Sequence, residues 1–168
     1  MEPKAFTLCN PNIILRALVT ICGISKAYDP AYSKGPAPKI MQYNGLWDTG
    51  ATGSMITEKI VKELGLIPVR QIETHHAQGT SINNLYYVNI ALPNGIVIPN
   101  VPVADGKLID TDVLIGMDII SLGDFSITNR NGGTVFSFQI PSTHEYDFVK
   151  QIKNSEGSKA KKKKNKKK

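Results

Sequence analysis

Cysteine is scarce in this 168-residue chain, which has only Cys9 and Cys22. They form no CxxC pair and no His/Cys spacing of a structural zinc site, which excludes zinc-finger and disulfide-framework readings. Two free buried thiols and a cytoplasmic location are the expectation. Long apolar runs are also missing. The most apolar early stretch, Ile13 to Ile24, is interrupted by Arg16 and falls far short of the ~20 residues a membrane span needs. It starts too late and carries a charge, so it reads as a strand rather than a secretory leader. Histidine is limited to His75, His76 and His144. Two adjacent histidines on a strand point to opposite faces, so no metal site is expected. Asp110, Asp112 and Asp118 lack calcium-loop spacing, and Asp118 is expected to cap a helix. Ser54 has no Gly-x-Ser-x-Gly context, and no phosphate-binding glycine loop occurs.

Acid is absent from one place where base is concentrated. Residues 159–168 hold eight lysines and no Asp or Glu; the other residues carry 12 Lys+Arg against 14 Asp+Glu. The formal charge of +6 therefore belongs to this segment, and a generally basic nucleic-acid-binding domain is excluded. The segment is expected to be disordered and solvated, with at most weak, salt-dependent attraction to nucleic acid or anionic surfaces. No aromatic residue interleaves its lysines, so base stacking is excluded there.

What is present is alternation. At 41% hydrophobic residues the chain can bury one domain's core, and apolar positions recur with the period of strands. Leu15, Ala17, Val19 and Ile21 alternate with Arg16 and Thr20 facing the other way; Tyr86, Val88, Ile90 and Leu92 repeat the pattern before a Pro93-Asn94-Gly95 turn. Val101 and Val103 form a short strand that Pro102 is expected to keep at an edge or end. Val113-Leu114-Ile115 suits a strand covered on both faces. Phe125 and Ile127, then Phe136, Phe138 and Ile140, flank a hairpin turn at 129–133. Two short helices are expected. One is capped by the Thr57 hydroxyl, supported by Glu58 and Lys62 and stopped by Gly65; the other starts at Asp118 and ends at Gly123. Residues 26–40, with Pro30, Pro36 and Pro38, form a long insertion without periodicity.

The stretch that carries chemistry is Trp47-Asp48-Thr49-Gly50-Ala51-Thr52-Gly53-Ser54. An acid closes an apolar strand and is followed at once by Thr-Gly and small residues. A carboxylate there is costly unless hydroxyl and backbone N–H groups stabilise it. Alone, three such residues are weak evidence, because a strand-ending Asx turn looks the same. A second element follows 68 residues after Asp48: Asp112-Val113-Leu114-Ile115-Gly116 runs into Met117-Asp118-Ile119-Ile120.

Taken together, Asp48-Thr49-Gly50-Ala51 and Leu114-Ile115-Gly116, in that order, resemble the retropepsin-like aspartyl proteases over roughly Ile13 to Ile140. The resemblance implies a mostly β fold, a closed barrel with one or two short helices forming half of a two-fold dimer. It implies a protease domain at 13–141, after an N-terminal segment 1–12 that could supply a dimer strand and before an extension at 142–158. It implies an aspartic endopeptidase needing no cofactor, with Asp48 catalytic and Thr49, Gly50 and Gly116 supporting the catalytic loop. Ala51, Thr52, Gln78, Gly79 and Thr80 would bind a peptide substrate, the last three on a flap at 72–87. The sequence departs from the family at Trp47, where smaller aliphatics are usual, at Gly53, where retroviral members often carry acids, and in having one flap glycine. An inactive peptide-binding or dimerisation module and a nucleic-acid-associated protein acting through residues 159–168 are the alternatives.

Overall fold

The computed structural model describes residues 2–32, 35–76 and 79–155; the lysine-rich segment lies outside them. Ten strands dominate: β1 (Lys4–Asn10), β2 (Leu18–Lys26), β3 (Met41–Trp47), β4 (Met55–Thr57), β5 (Arg70–His76), β6 (Gly79–Ala91), β7 (Val97–Gly106), β8 (Val113–Ile115), β9 (Asp124–Thr128) and β10 (Thr134–Ile140). Two α-helices, α1 (Glu58–Leu64) and α2 (Met117–Ile120), and a 3-10 turn at Arg130–Gly132 interrupt them, and residues 148–155 form a helix after β10. The fold is mostly β, as the alternation requires. No helix among the described residues is long and apolar enough to cross a membrane.

The strands form a three-stranded sheet, β1-β10-β9, and a seven-stranded sheet, β2-β3-β8-β4-β7-β6-β5, in which β2 also pairs with β6. That extra pairing curls the larger sheet back on itself. β1 runs antiparallel to β10 of the same chain over its full length, Lys4 opposite Ile140 and Asn10 opposite Thr134. Phe6, Phe125, Phe136 and Phe138 of the smaller sheet surround Trp47 from the end of β3, with ring centroids 4.8–6.1 Å from its own. This aromatic cluster joins the sheets directly behind Asp48. Tilted and edge-on rings at such spacing add to the stabilisation their buried area gives.

Several expectations need correction. β2 starts at Leu18, and its buried side is the even set Leu18, Thr20, Cys22 and Ile24, while Val19 and Ile21 are exposed. Thr20 faces inward because its hydroxyl accepts the indole N–H of Trp47 at 2.9 Å. β7 is longer than the short strand expected and lies between β4 and β6. β4 pairs with it only from Ala104 onward, so Pro102 borders β6 alone and no ladder bond to β4 is forfeited there. Cys9 is exposed; Cys22 is buried, and both thiols are free. Burial, with the Asp112 carboxylate adding to it, pushes the Cys22 thiol up to about 12.

The helices form where expected but are held differently. Glu58 and Lys62 pair at 2.9 Å, and Gly65 closes α1 with a left-handed φ of 56°, a conformation glycine adopts without steric cost. Thr57 occupies the N-cap position without a side-chain cap bond, and its buried hydroxyl oxygen has no hydrogen-bond partner. α2 starts after Gly116 rather than at Asp118, and its last residue is Ile120.

Candidate active site

Asp48 follows the last residue of β3, at the point where the chain leaves the sheet. β3 pairs in parallel with β8, Trp47 opposite Ile115, and the Asp48 N–H extends that ladder to the Ile115 carbonyl at 2.9 Å. The acid is thus placed by a central strand and not by a free loop. Its Oδ1 accepts the Gly50 N–H at 2.8 Å, and its carbonyl accepts the Ala51 N–H at 3.3 Å. The tight turn aims the half-buried carboxylate into a cavity of about 400 Å³, lined also by Arg16, Trp47, Thr49, Phe125 and Ile127. Thr49 and Gly50 are exposed beside it.

The loop after Asp48 is tied down along its length by the start of α2. The Met117 N–H donates to the Ala51 carbonyl at 2.8 Å and the Asp118 N–H to the Thr52 carbonyl at 3.2 Å. Gly116 lies under this crossing, and a Cβ built there would stand 2.7 Å from the Gly53 carbonyl carbon and oxygen. Only hydrogen fits, which explains a glycine at this point better than any turn requirement.

Two further residues at this crossing escape a reading of the sequence. The Ser54 N–H and hydroxyl donate to the two Asp118 carboxylate oxygens at 3.0 and 2.8 Å. Ser54 Oγ in turn accepts the Gly116 N–H at 3.1 Å, and Asp118 also accepts the Ile119 N–H at 3.0 Å. Ser54 is only 2% exposed. Asp118 is therefore a clamp on the loop and not the cap of α2. The available signal was an acid two residues after a helix-opening glycine, but nothing local says what it binds.

The expected residues fall into two groups. Asp48, Thr49, Gly50, Ala51 and Thr52 form one continuous loop, with Gly116 beneath it. Gly79 and Thr80 open β6 on the β5–β6 hairpin, opposite His76 and His75, and Gln78 lies outside the described residues. The body of that hairpin is braced by polar contacts. Asn83 Nδ2 donates to the Asp105 carbonyl at 2.6 Å, and the Asn84 N–H and Nδ2 donate to the Asp105 carboxylate at 2.8 and 2.9 Å. Tyr86 adds its hydroxyl at 3.2 Å, and burial, with Asp105 close by, raises the Tyr86 pKa. Among the described residues no three His, Cys, Asp or Glu side chains gather as metal ligands would.

One carboxylate in a half-enclosed cavity can accept or donate a proton, but not both in one step. Residues 41–121 match the family model described as gag-polyprotein putative aspartyl protease. Among solved structures, the chain is similar to a retropepsin-like aspartic protease from Rickettsia conorii. The TM-score is 0.51 at 11% identity, over 83% of this chain and 95% of that one. It also aligns with the EIAV protease complexed with the inhibitor HBY-793, at TM-score 0.45 and 22% identity, over 63% of this chain and 86% of that one. For the simian foamy virus protease the figures are 0.42 and 16%, over 62% and 92%. No curated protein sequence matches the chain.

Proposed function

Because the chain is retropepsin-like in its fold and in residues 41–121, we propose that it is an aspartic endopeptidase active as a two-fold homodimer. The observation that carries this reading is Asp48 itself, ending a central strand, held by the Gly50 N–H and opening into a cavity. Peptide hydrolysis needs a water made nucleophilic and a carbonyl made electrophilic, so one carboxyl accepts a proton while another donates one. Each chain has one Asp-Thr-Gly, and a two-fold axis through that loop supplies the second carboxyl. Two carboxyls that close cannot both ionise, so they share a proton and titrate as a pair.

In this reading Asp48 of each subunit binds the attacking water. Thr49 braces the opposite loop, and Gly50 and Gly116 keep the loop's shape. An extended substrate lies along Ala51 and Thr52 and is covered by the β5–β6 hairpin as a flap, with Gln78, Gly79 and Thr80 as its proposed contacts. Backbone pairing would give affinity and side-chain pockets would give preference. The domain would span 13–141, with β1 ahead of it. Two unpaired thiols suit a reducing compartment, and we place the enzyme in the cytoplasm.

The test is cleavage of a diverse peptide mixture by wild type and Asp48→Asn, from mildly acidic to neutral pH, read by mass spectrometry. Cleavage by wild type alone is expected. Equal cleavage by both would overturn the assignment. Cleavage by neither, from a protein shown to be dimeric, would favour a peptide-binding module.

A further inference from the structure

We infer that the segment 146–155, followed in sequence by the lysine-rich residues, docks on an anionic lipid surface, independent of the Asp48 site. Residues 148–155 are helical, and Asp147 starts the helix by accepting the Lys150 N–H on its carboxylate at 2.9 Å. Phe148, Val149 and Ile152 are 67%, 61% and 60% exposed, and Tyr146 just before them is 57% exposed. At about 100° per residue the three helical apolar side chains share one sector of roughly 100°. Lys150, Gln151, Lys153 and Asn154 take the remainder. An amphipathic helix normally turns such a face to the core, whereas here it is left facing out.

Charge says what covers it. From Tyr146 onward the sequence has ten lysines and two acids, Asp147 and Glu156, whereas residues 1–145 carry ten basic and twelve acidic residues. The apolar face is thus continuous in sequence with all of the chain's excess positive charge. A nucleic acid would neutralise the lysines and leave Val149 and Ile152 in water. A bilayer containing anionic lipid satisfies both features, taking the apolar face at the headgroup–acyl boundary and the ammonium groups at the phosphates. Lys153 flanks the apolar sector, where its stem can lie along the interface while its charge reaches outward. One weak signal gives only marginal attachment, and two together give a stable one.

The test is co-sedimentation of the full chain with phosphatidylcholine vesicles, with or without about one third phosphatidylserine, at about 0.1 M salt. Binding to the serine-containing vesicles alone is expected. It should weaken about tenfold or more in a Phe148→Ser/Ile152→Ser variant, and likewise when salt is raised several-fold. Both positions are exposed, so buried Trp47 should keep its emission in that variant. In a Phe148→Trp variant the added indole should shift to shorter wavelength on vesicles. Unchanged binding by the serine variant would overturn the inference by leaving the lysines to act alone. Failure to bind vesicles would overturn it too, and retention of single-stranded RNA in that case would assign the surface to nucleic acid.

Discussion

Asp118 accepts three hydrogen bonds, two from Ser54 and one from Ile119, and so fixes the loop that begins at Asp48. Replacing it with Ala leaves the Ser54 N–H without its carboxylate partner at a residue that is almost fully buried. Bonds to a charged acceptor contribute more than neutral ones, so Asp118→Ala should cost about 2–3 kcal/mol in denaturant unfolding. Asp118→Asn keeps the shape and an acceptor oxygen, and should lose about half as much. If the proposed reaction holds, peptide cleavage by the Ala variant, assayed where it remains folded, should fall mainly in kcat, because the loop carries the carboxyl proposed to react. An unaltered unfolding midpoint would show that the clamp holds nothing. The contrast with Asp48 is instructive. The turn at Asp48 was legible because its contacts are local, the acid, the Thr-Gly turn and the N–H that meets it all lying within three residues. Ser54 and Asp118 lie 64 residues apart, and neither has a neighbour that announces the other.

At the scale of elements, periodicity identified strands wherever only one side is apolar. β6 and β10 bury the alternating sets read from the sequence, Tyr86, Val88 and Ile90 in one and Phe136, Phe138 and Ile140 in the other. β2 is apolar on both sides, and a strand shifted by one residue exchanges its faces completely. Its register is set by a tertiary bond, from the Trp47 indole to Thr20, which alternation cannot encode. α1 shows the same limit in a cap. A threonine before an amphipathic stretch is a sound N-cap signal, yet the Thr57 hydroxyl oxygen is buried without a partner. Instead the Thr57 N–H donates to the Asp112 carbonyl at 3.0 Å, so β4 and the bend just before β8 position this residue. A buried hydroxyl that makes no bond carries a desolvation cost and gains nothing for it. Thr57→Val, which keeps the branched shape and removes the oxygen, should therefore stabilise the protein by about 1 kcal/mol. Thermal and urea unfolding would measure it. A loss of stability would mean that the hydroxyl caps α1 in solution.

Among the described residues, the first strand and the last are paired. β1 and β10 join residues about 130 positions apart, and Asp124 draws the following segment back by accepting the Ser142 hydroxyl and the Thr143 and His144 N–H groups at 2.5, 2.9 and 3.0 Å. Those donors, Ser142 foremost, hold the Asp124 carboxyl well below the usual range. The subunit therefore needs no second chain to complete its sheets, although the proposed reaction needs a second carboxyl. Folding and activity should then separate on dilution. Far-UV and Trp47 signals should stay native at concentrations where dimers part, while cleavage per mole of enzyme falls with concentration, because only paired subunits hold both acids. Subunit mixing gives the sharper form. With a tenfold excess of Asp48→Asn over wild type and free exchange, about a tenth of wild-type subunits would meet another wild-type partner, so wild-type activity should drop to roughly a tenth. Undiminished cleavage in that mixture would mean that one chain carries out the reaction alone, and the two-fold site built around Asp48 would have to be abandoned.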